Sequence, residues 1–139
     1  MGSGGFFSGS PELQNLKHPP DLIFLWAPVL AYMALIFALS SLSEPPKAPA
    51  GISDKGLHSM LYAGLSALLV RALARGWRRP VSLGVVMLTI AISSLYGASD
   101  EVHQHFVPPR QMETLDVVAD TIGAALAAFG LYSAGLFRR

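Results

Sequence analysis

Cysteine is absent from the 139 residues, which removes disulfides, thiolate metal sites and a cysteine nucleophile from consideration. Charge is also scarce. Asp, Glu, Lys and Arg make up 14% of the chain, against about 25% in an ordinary soluble domain. Glycine-rich phosphate loops, low-complexity repeats and nucleic-acid-binding motifs are missing, so no nucleic-acid partner is expected. Alternation of apolar and polar residues with a period of two is missing as well, and this speaks against barrel strands.

What remains is apolar: 52% of residues are hydrophobic. Four stretches stand out. Leu22–Leu42 runs for 21 residues without a charge and Pro80–Ser99 for 20. Gly56–Val70 runs for 15 and continues past Arg71 to Ala74, and Thr121–Phe137 runs for 17 behind Leu115–Ala119. About 20 residues of helix cross a hydrocarbon core about 30 Å thick. The first and third stretches meet that length unaided; the other two meet it when polar residues occupy their ends. Backbone inside lipid must satisfy its own hydrogen bonds, so the expected fold is all-α, a four-helix transmembrane bundle. The first stretch is too long for the apolar part of a secretory signal and reads as a retained signal-anchor, with Pro28 placed near its start. Residues 1–20, rich in Gly, Ser and Pro, read as a flexible N-terminal segment.

Four crossings put both termini and the segment between the second and third helices on one side. That side carries Lys17, Arg71, Arg75, Arg78, Arg79, Arg138 and Arg139; the other carries Lys47, Lys55 and Arg110. The bias predicts cytoplasmic termini in a bacterial inner membrane, with segments 43–56 and 100–116 facing outward. Counting about 20 residues back from the cytoplasmic ends, at about 1.5 Å each, puts Asp120 slightly inside the outer rim. The same count puts Asp116 and Asp100 at the rim and His58 just below it.

The carboxylates gather at this same surface. Of nine acidic residues, seven are Glu44, Asp54, Asp100, Glu101, Glu113, Asp116 and Asp120. Ionisable groups at membrane depth are costly and mark functional sites. Asp54, His58 and Tyr62 follow at intervals of four, so a helix stacks them on one face, where Asp54 could orient His58 as a general base. The alternative is that Ser53 or Asp54 merely caps the helix. Tyr96, Asp100 and Gln104 share one face, Glu101 and His105 another; His103 and His105 diverge. The carboxylates suit a hard divalent cation, Ca²⁺ or Mg²⁺, or else form a solvated acidic loop. Pro108 and Pro109 end the third helix and fix Arg110 behind the break, available to a phosphate or paired with Asp116 or Glu101. Asp116 and Asp120 share a face that should turn inward. Ala119, Gly123 and Ala127 form one row of small residues, Gly130 and Ala134 another, and both read as helix-packing surfaces.

Three ordered motifs resemble the VanZ-like family of small bacterial membrane proteins. They are Asp54-Lys55-x-x-His58-x-x-x-Tyr62, then Asp100-Glu101-x-His103-Gln104-x-Phe106-x-Pro108-x-Arg110, then Asp116-x-x-x-Asp120-x-x-Gly123. They span a VanZ-like domain over 21–139. Asp120 stands where the family commonly has Asn, and Pro109 departs from the more frequent Pro-Gly-Arg step. The resemblance implies a four-helix membrane fold. It also implies a link to low-level teicoplanin resistance, known for the family's namesake, and kinship with membrane enzymes acting on lipid headgroups.

Two readings follow. In the first, the chain acts on a phospholipid or polyprenyl-linked substrate at the outer leaflet, by phosphoester hydrolysis or headgroup exchange. His58 with Asp54 would be the base or nucleophile. Asp100 and Glu101 would hold a cation or polarise the attacking group. Gln104 and Arg110 would bind phosphate, Asp116 would fix Arg110, and Tyr62, His103, Asp116 and Asp120 would complete the substrate-binding set. In the second, the same surface binds a membrane lipid, a lipid-linked envelope precursor or a glycopeptide without turnover.

Overall fold

The computed structural model describes residues 22–77 and 79–136. The N-terminal segment expected to be flexible lies outside them, as do Lys17, Arg78, Arg138 and Arg139 of the charge argument. The described residues form four helices and no strand: α1 Leu22–Ser40, α2 Asp54–Leu73, α3 Leu83–His105 and α4 Thr114–Leu136. All four are long and apolar enough to cross a membrane. The all-α four-helix bundle expected from the uncharged runs is the observed architecture.

The helices reach further into the polar segments than the runs of apolar residues do. Ser53 caps α2, its hydroxyl accepting from the Gly56 amide at 3.0 Å. That cap carries the helix back through Asp54 and Lys55. Ser82 caps α3 by accepting from Val85 at 3.3 Å. At its other end α3 continues through Asp100, Glu101 and Gln104 to His105, and the chain turns at Phe106–Pro109. Glu101 accepts from the Glu113 amide at 2.9 Å, just ahead of α4. A carboxylate there also faces the positive end of the helix dipole.

Pro28 does not sit at the start of α1. It lies inside the helix, where its ring leaves the Phe24 carbonyl without the usual amide donor. Arg71 of α2 supplies one instead, Nη1 reaching the Phe24 oxygen at 3.4 Å, with the guanidinium stacked 4.8 Å from the Phe24 ring centroid. Arg71, expected as a topology determinant, therefore also fastens α2 to α1.

Contacts between helix ends fix the topology. Ser40 at the end of α1 bonds Asp100 near the end of α3, and His58 near the start of α2 bonds Asp120 near the start of α4. The chain thus runs up, down, up, down, and gathers the polar ends of all four helices at one pole. α2 lies centrally and packs most extensively on α4. One core cluster joins Leu25, Val29 and Ile36 of α1 to Tyr62, Leu65 and Leu69 of α2; a second joins Val70, Val86 and Ala128. Hydroxyls add interhelical bonds: Ser59 to the Ala119 carbonyl at 2.7 Å, Ser66 to Ala124 at 2.8 Å and Tyr96 to Met33 at 2.7 Å. Lipid offers no hydrophobic drive between helices, so such bonds and close packing hold a bundle together. Outward-facing Ile23, Phe24, Leu95 and Leu126 are 68–74% exposed. Only 17% of the most apolar stretch of α1 is buried within the protein, which leaves most of its apolar surface to lipid.

Gly123 sets the α2–α4 distance. A Cβ on it would overlap the Ser59 carbonyl oxygen and fall 2.6 Å from the carbonyl carbon. The first row of small residues is therefore a packing surface. Gly130, expected to serve the same purpose, is exposed, and a Cβ there would meet nothing within 4 Å. It lies beyond the zone where the two helices are closest.

Candidate functional site

The close approach at Gly123 carries α4's carboxylates to the start of α2. His58 Nδ1 lies 3.0 Å from Asp120 Oδ1. A carboxylate can only accept, so Nδ1 donates, and neutral His58 then keeps its lone pair on Nε2. That nitrogen lies 3.8 Å from Asp116 Oδ2, too far for a hydrogen bond. Asp120 is fully buried and His58 is 8% exposed. The residue that orients His58 is thus Asp120 and not Asp54. Asp54 is exposed and forms no hydrogen bond among the described residues, and the helix cap belongs to Ser53. The four-residue spacing does bring Asp54 near His58. Ligand atoms of Asp54, His58 and Asp116 all lie within 4.8 Å of one another.

Asp116 does not hold Arg110. Its Oδ1 accepts from Lys55 Nζ at 2.7 Å, and Lys55 reaches Glu113 Oε2 at 2.8 Å as well. Arg110 lies behind the α3 break, on the α1 side. There Arg110 Nη1 donates to the Ser40 carbonyl at 3.3 Å. It satisfies an acceptor that the C-terminus of α1 would otherwise leave open. Arg110 has no ion-pair partner among the described residues, so most of its guanidinium donors are unused.

Asp100 and Glu101 go to different neighbours. Asp100 accepts from the Ser40 hydroxyl at 2.5 Å and from Gln104 Nε2 at 3.0 Å. Glu101, fully buried, points toward the start of α4 as described above. Adjacent residues on a helix diverge by about 100°, so the two do not converge on one cation. His103 stacks on Phe37 at 4.4 Å and lies 3.0 Å from the Ser41 hydroxyl, away from His58. The Tyr62 hydroxyl is buried without a hydrogen-bond partner among the described residues.

A cavity of about 350 Å³ opens at this pole. Its walls are apolar, from Ile36, Leu39, Leu57 and Leu61, with the prolines of the α1–α2 connection at its edge. His58, Tyr62, Asp54, Asp100, Gln104, Lys47 and Arg110 supply its polar groups. A cavity of about 450 Å³ at the opposite pole, lined by Trp77, Arg79 and Leu131 among others, has no carboxylate or imidazole. The first has an apolar chamber, two cations and a fixed imidazole, so it is the site with chemical capacity. Of the expected site residues, His58, Tyr62, Asp54, Asp100, Gln104 and Arg110 line it. Asp116 and Asp120 stand behind His58, while Glu101 and His103 lie off the cavity. Ser40, Lys47 and Lys55 were not anticipated. Lys55 belongs to the first motif; Ser40 and Lys47 carry no local signal.

The VanZ/LLP1 family model matches residues 13–138. Searches of curated proteins and of solved structures return no match. The family match covers nearly the whole chain and all three motifs, and the chain belongs to the VanZ-like family of membrane proteins.

Proposed function

We propose that this VanZ-like protein acts on a lipid carrying a phosphate headgroup, a phospholipid or a polyprenyl phosphate, at the outer leaflet of the bacterial inner membrane. The observation that carries the reading is the His58–Asp120 pair at the back of an apolar cavity. Asp120 fixes the imidazole so that Nε2 keeps its lone pair. Hydrocarbon would lie along Ile36, Leu39, Leu57 and Leu61, which line one cavity. The phosphate would meet Arg110 and Lys47 at the mouth, Arg through its bidentate donors. The excess of basic residues that the sequence assigns to the termini and the α2–α3 connection supports an outward-facing site.

The reaction class is phosphoester hydrolysis or headgroup exchange. His58 Nε2 takes the proton of a water or headgroup hydroxyl as its oxygen bonds phosphorus. The ester oxygen leaves, and the same proton returns to it from Nε2. Asp120 holds the imidazole throughout. Positioned general bases contribute about 10²–10⁴-fold. Purified protein in liposomes, offered panels of phospholipids and polyprenyl phosphates, should turn over at least one, and His58→Ala should lose about 10²-fold or more. No turnover on any panel, or turnover untouched by a folded His58→Ala variant, refutes the reading. Action on polyprenyl-linked wall precursors would connect the site to teicoplanin resistance. A strain carrying His58→Ala should then lose protection at unchanged protein level, whereas retained protection points to binding without turnover.

A further inference from the structure

We infer that Asp54, His58 and Asp116 form a binding site for one divalent ion of the zinc type, and that the ion competes for the lone pair that makes His58 a base. Three features carry this. First, the donors are one imidazole nitrogen and two carboxylates, with ligand atoms within 4.8 Å of one another. Bonds of about 2.0–2.1 Å at tetrahedral angles require separations of about 3.4 Å. His58 Nε2 and Asp116 Oδ2, at 3.8 Å, must close by only a few tenths of an ångström. Asp54 is exposed and unbonded, so it can swing the rest of the way. An imidazole with two carboxylates favours a borderline ion over Ca²⁺ or Mg²⁺, which prefer all-oxygen shells.

Second, the ligands are already oriented from behind. Asp120 takes the Nδ1 proton of His58, the arrangement that fixes metal-bound imidazoles, and Lys55 holds the other oxygen of Asp116 at 2.7 Å. The nearly buried imidazole thus presents an Nε2 with no hydrogen-bond partner toward two carboxylates. Third, charge is unbalanced. Lys55 pairs with Glu113 and Asp116, while Asp54 and Asp120 lie beside His58 with no Lys or Arg in salt-bridge contact among the described residues. A divalent cation offsets that excess at a depth where uncompensated charge is expensive. The cavity beside Asp54 and His58 gives access for the ion and room for a water as fourth ligand.

One lone pair cannot hold a metal and a proton together. The ion-loaded protein therefore has no free base at Nε2. This inhibitory half rests on the proposed function; the binding half stands without it. The test is calorimetric titration of tag-free protein in detergent with zinc alone. One equivalent should bind to the wild type. Asp116→Asn should weaken binding by tenfold or more, and so should Asp54→Asn, whose exposed side chain makes no bond on which folding depends. Absence of stoichiometric binding, or binding unaffected by both variants, overturns the site. If a lipid phosphate is turned over, zinc should inhibit it and Asp54→Asn should relieve the inhibition; activation by zinc overturns the competition. Binding without turnover of any lipid leaves the metal site standing and removes the proposed function instead.

Discussion

Gly123→Ala tests how the site is assembled, because it adds one methyl group where two helices touch. The new Cβ would overlap the Ser59 carbonyl oxygen and lie 2.6 Å and 2.7 Å from that residue's carbonyl carbon and Cα. Carbon atoms in contact prefer about 3.5–4.0 Å, so α4 must retreat from α2 by about 1 Å at this level. The obstacle is backbone and cannot rotate away. Overpacking costs about 1–3 kcal/mol when the surroundings partly yield; here the upper end is expected, since a whole helix must shift. The retreat also stretches the contacts on either side, Ser59 to Ala119 at 2.7 Å and His58 to Asp120 at 3.0 Å. A displacement of that size at a reacting group can cost about 10²-fold in rate. The assay is thermal unfolding in detergent together with turnover in liposomes. Gly130→Ala is the control: its Cβ meets nothing within 4 Å, so stability and turnover should not fall. Equal unfolding temperatures for wild type and Gly123→Ala would refute the account of how α2 and α4 meet.

Three further substitutions separate the roles of the polar pole. Asp120→Ala strands the buried Nδ1–H of His58 and should cost about 1–3 kcal/mol in chemical unfolding, while Asp120→Asn, which keeps an acceptor oxygen, should cost less than half as much. Ser40→Ala removes the hydroxyl from Asp100 Oδ1; destabilisation of about 1–3 kcal/mol is expected, and none at all would mean that the buried carboxylate has another partner. Arg110→Ala gives up only a 3.3 Å bond to a carbonyl within the protein, so its unfolding should change little. It should weaken binding of a phosphate-bearing lipid by about 1.5–3 kcal/mol, the value of a charge-assisted bond, read as a rise in KM of roughly tenfold to a hundredfold.

The bundle was legible because apolar length and charge scarcity are global properties that packing does not override. Its helix ends were not, because they depend on single bonds. Ser53 extends α2 through two charged residues, and Asp100 with Gln104 keeps α3 helical past its last apolar turn. Pro28 read as harmless only while the helix was thought to start near it; Arg71, 43 positions further on, is what makes it tolerable. Within the site, spacing found what lies on one helix and missed what crosses between two. Asp54 is four residues from His58 and looked like its partner. The true partner comes from α4, 62 residues away. A signal for it existed: Asp120 sits beside Ala119 in the row that Gly123 belongs to, so a helix meeting that row should meet Asp120 too. Nothing comparable pointed Arg110 to Ser40, since the approach of the α3 break to the end of α1 is decided by the whole bundle.

The carboxylates differ in the kind of group that compensates them. Asp100 is satisfied at both oxygens by Ser40 and Gln104, which are neutral and rigidly placed. Glu101 closes the start of α4 through Oε2, and its buried Oε1 has no partner among the described residues. These two hold the frame. Asp120 and Asp116 instead engage groups that can change: an imidazole that can gain a proton, and an ammonium that lies partly in the open and is shared with Glu113. Asp120 Oδ2 has no partner among the described residues, and it lies close against Gly97, where a Cβ would stand 2.7 Å from that oxygen. A buried carboxylate with one oxygen unpaired is costly unless another charge comes to it. The imidazolium formed when His58 accepts a proton is such a charge, already in hydrogen-bond contact with Asp120. In the proposed reaction the proton taken up at Nε2 would therefore arrive beside a carboxylate that already holds the ring. A divalent ion on Nε2 would meet the same carboxylates and need the same lone pair, and for this reason it would compete with that proton.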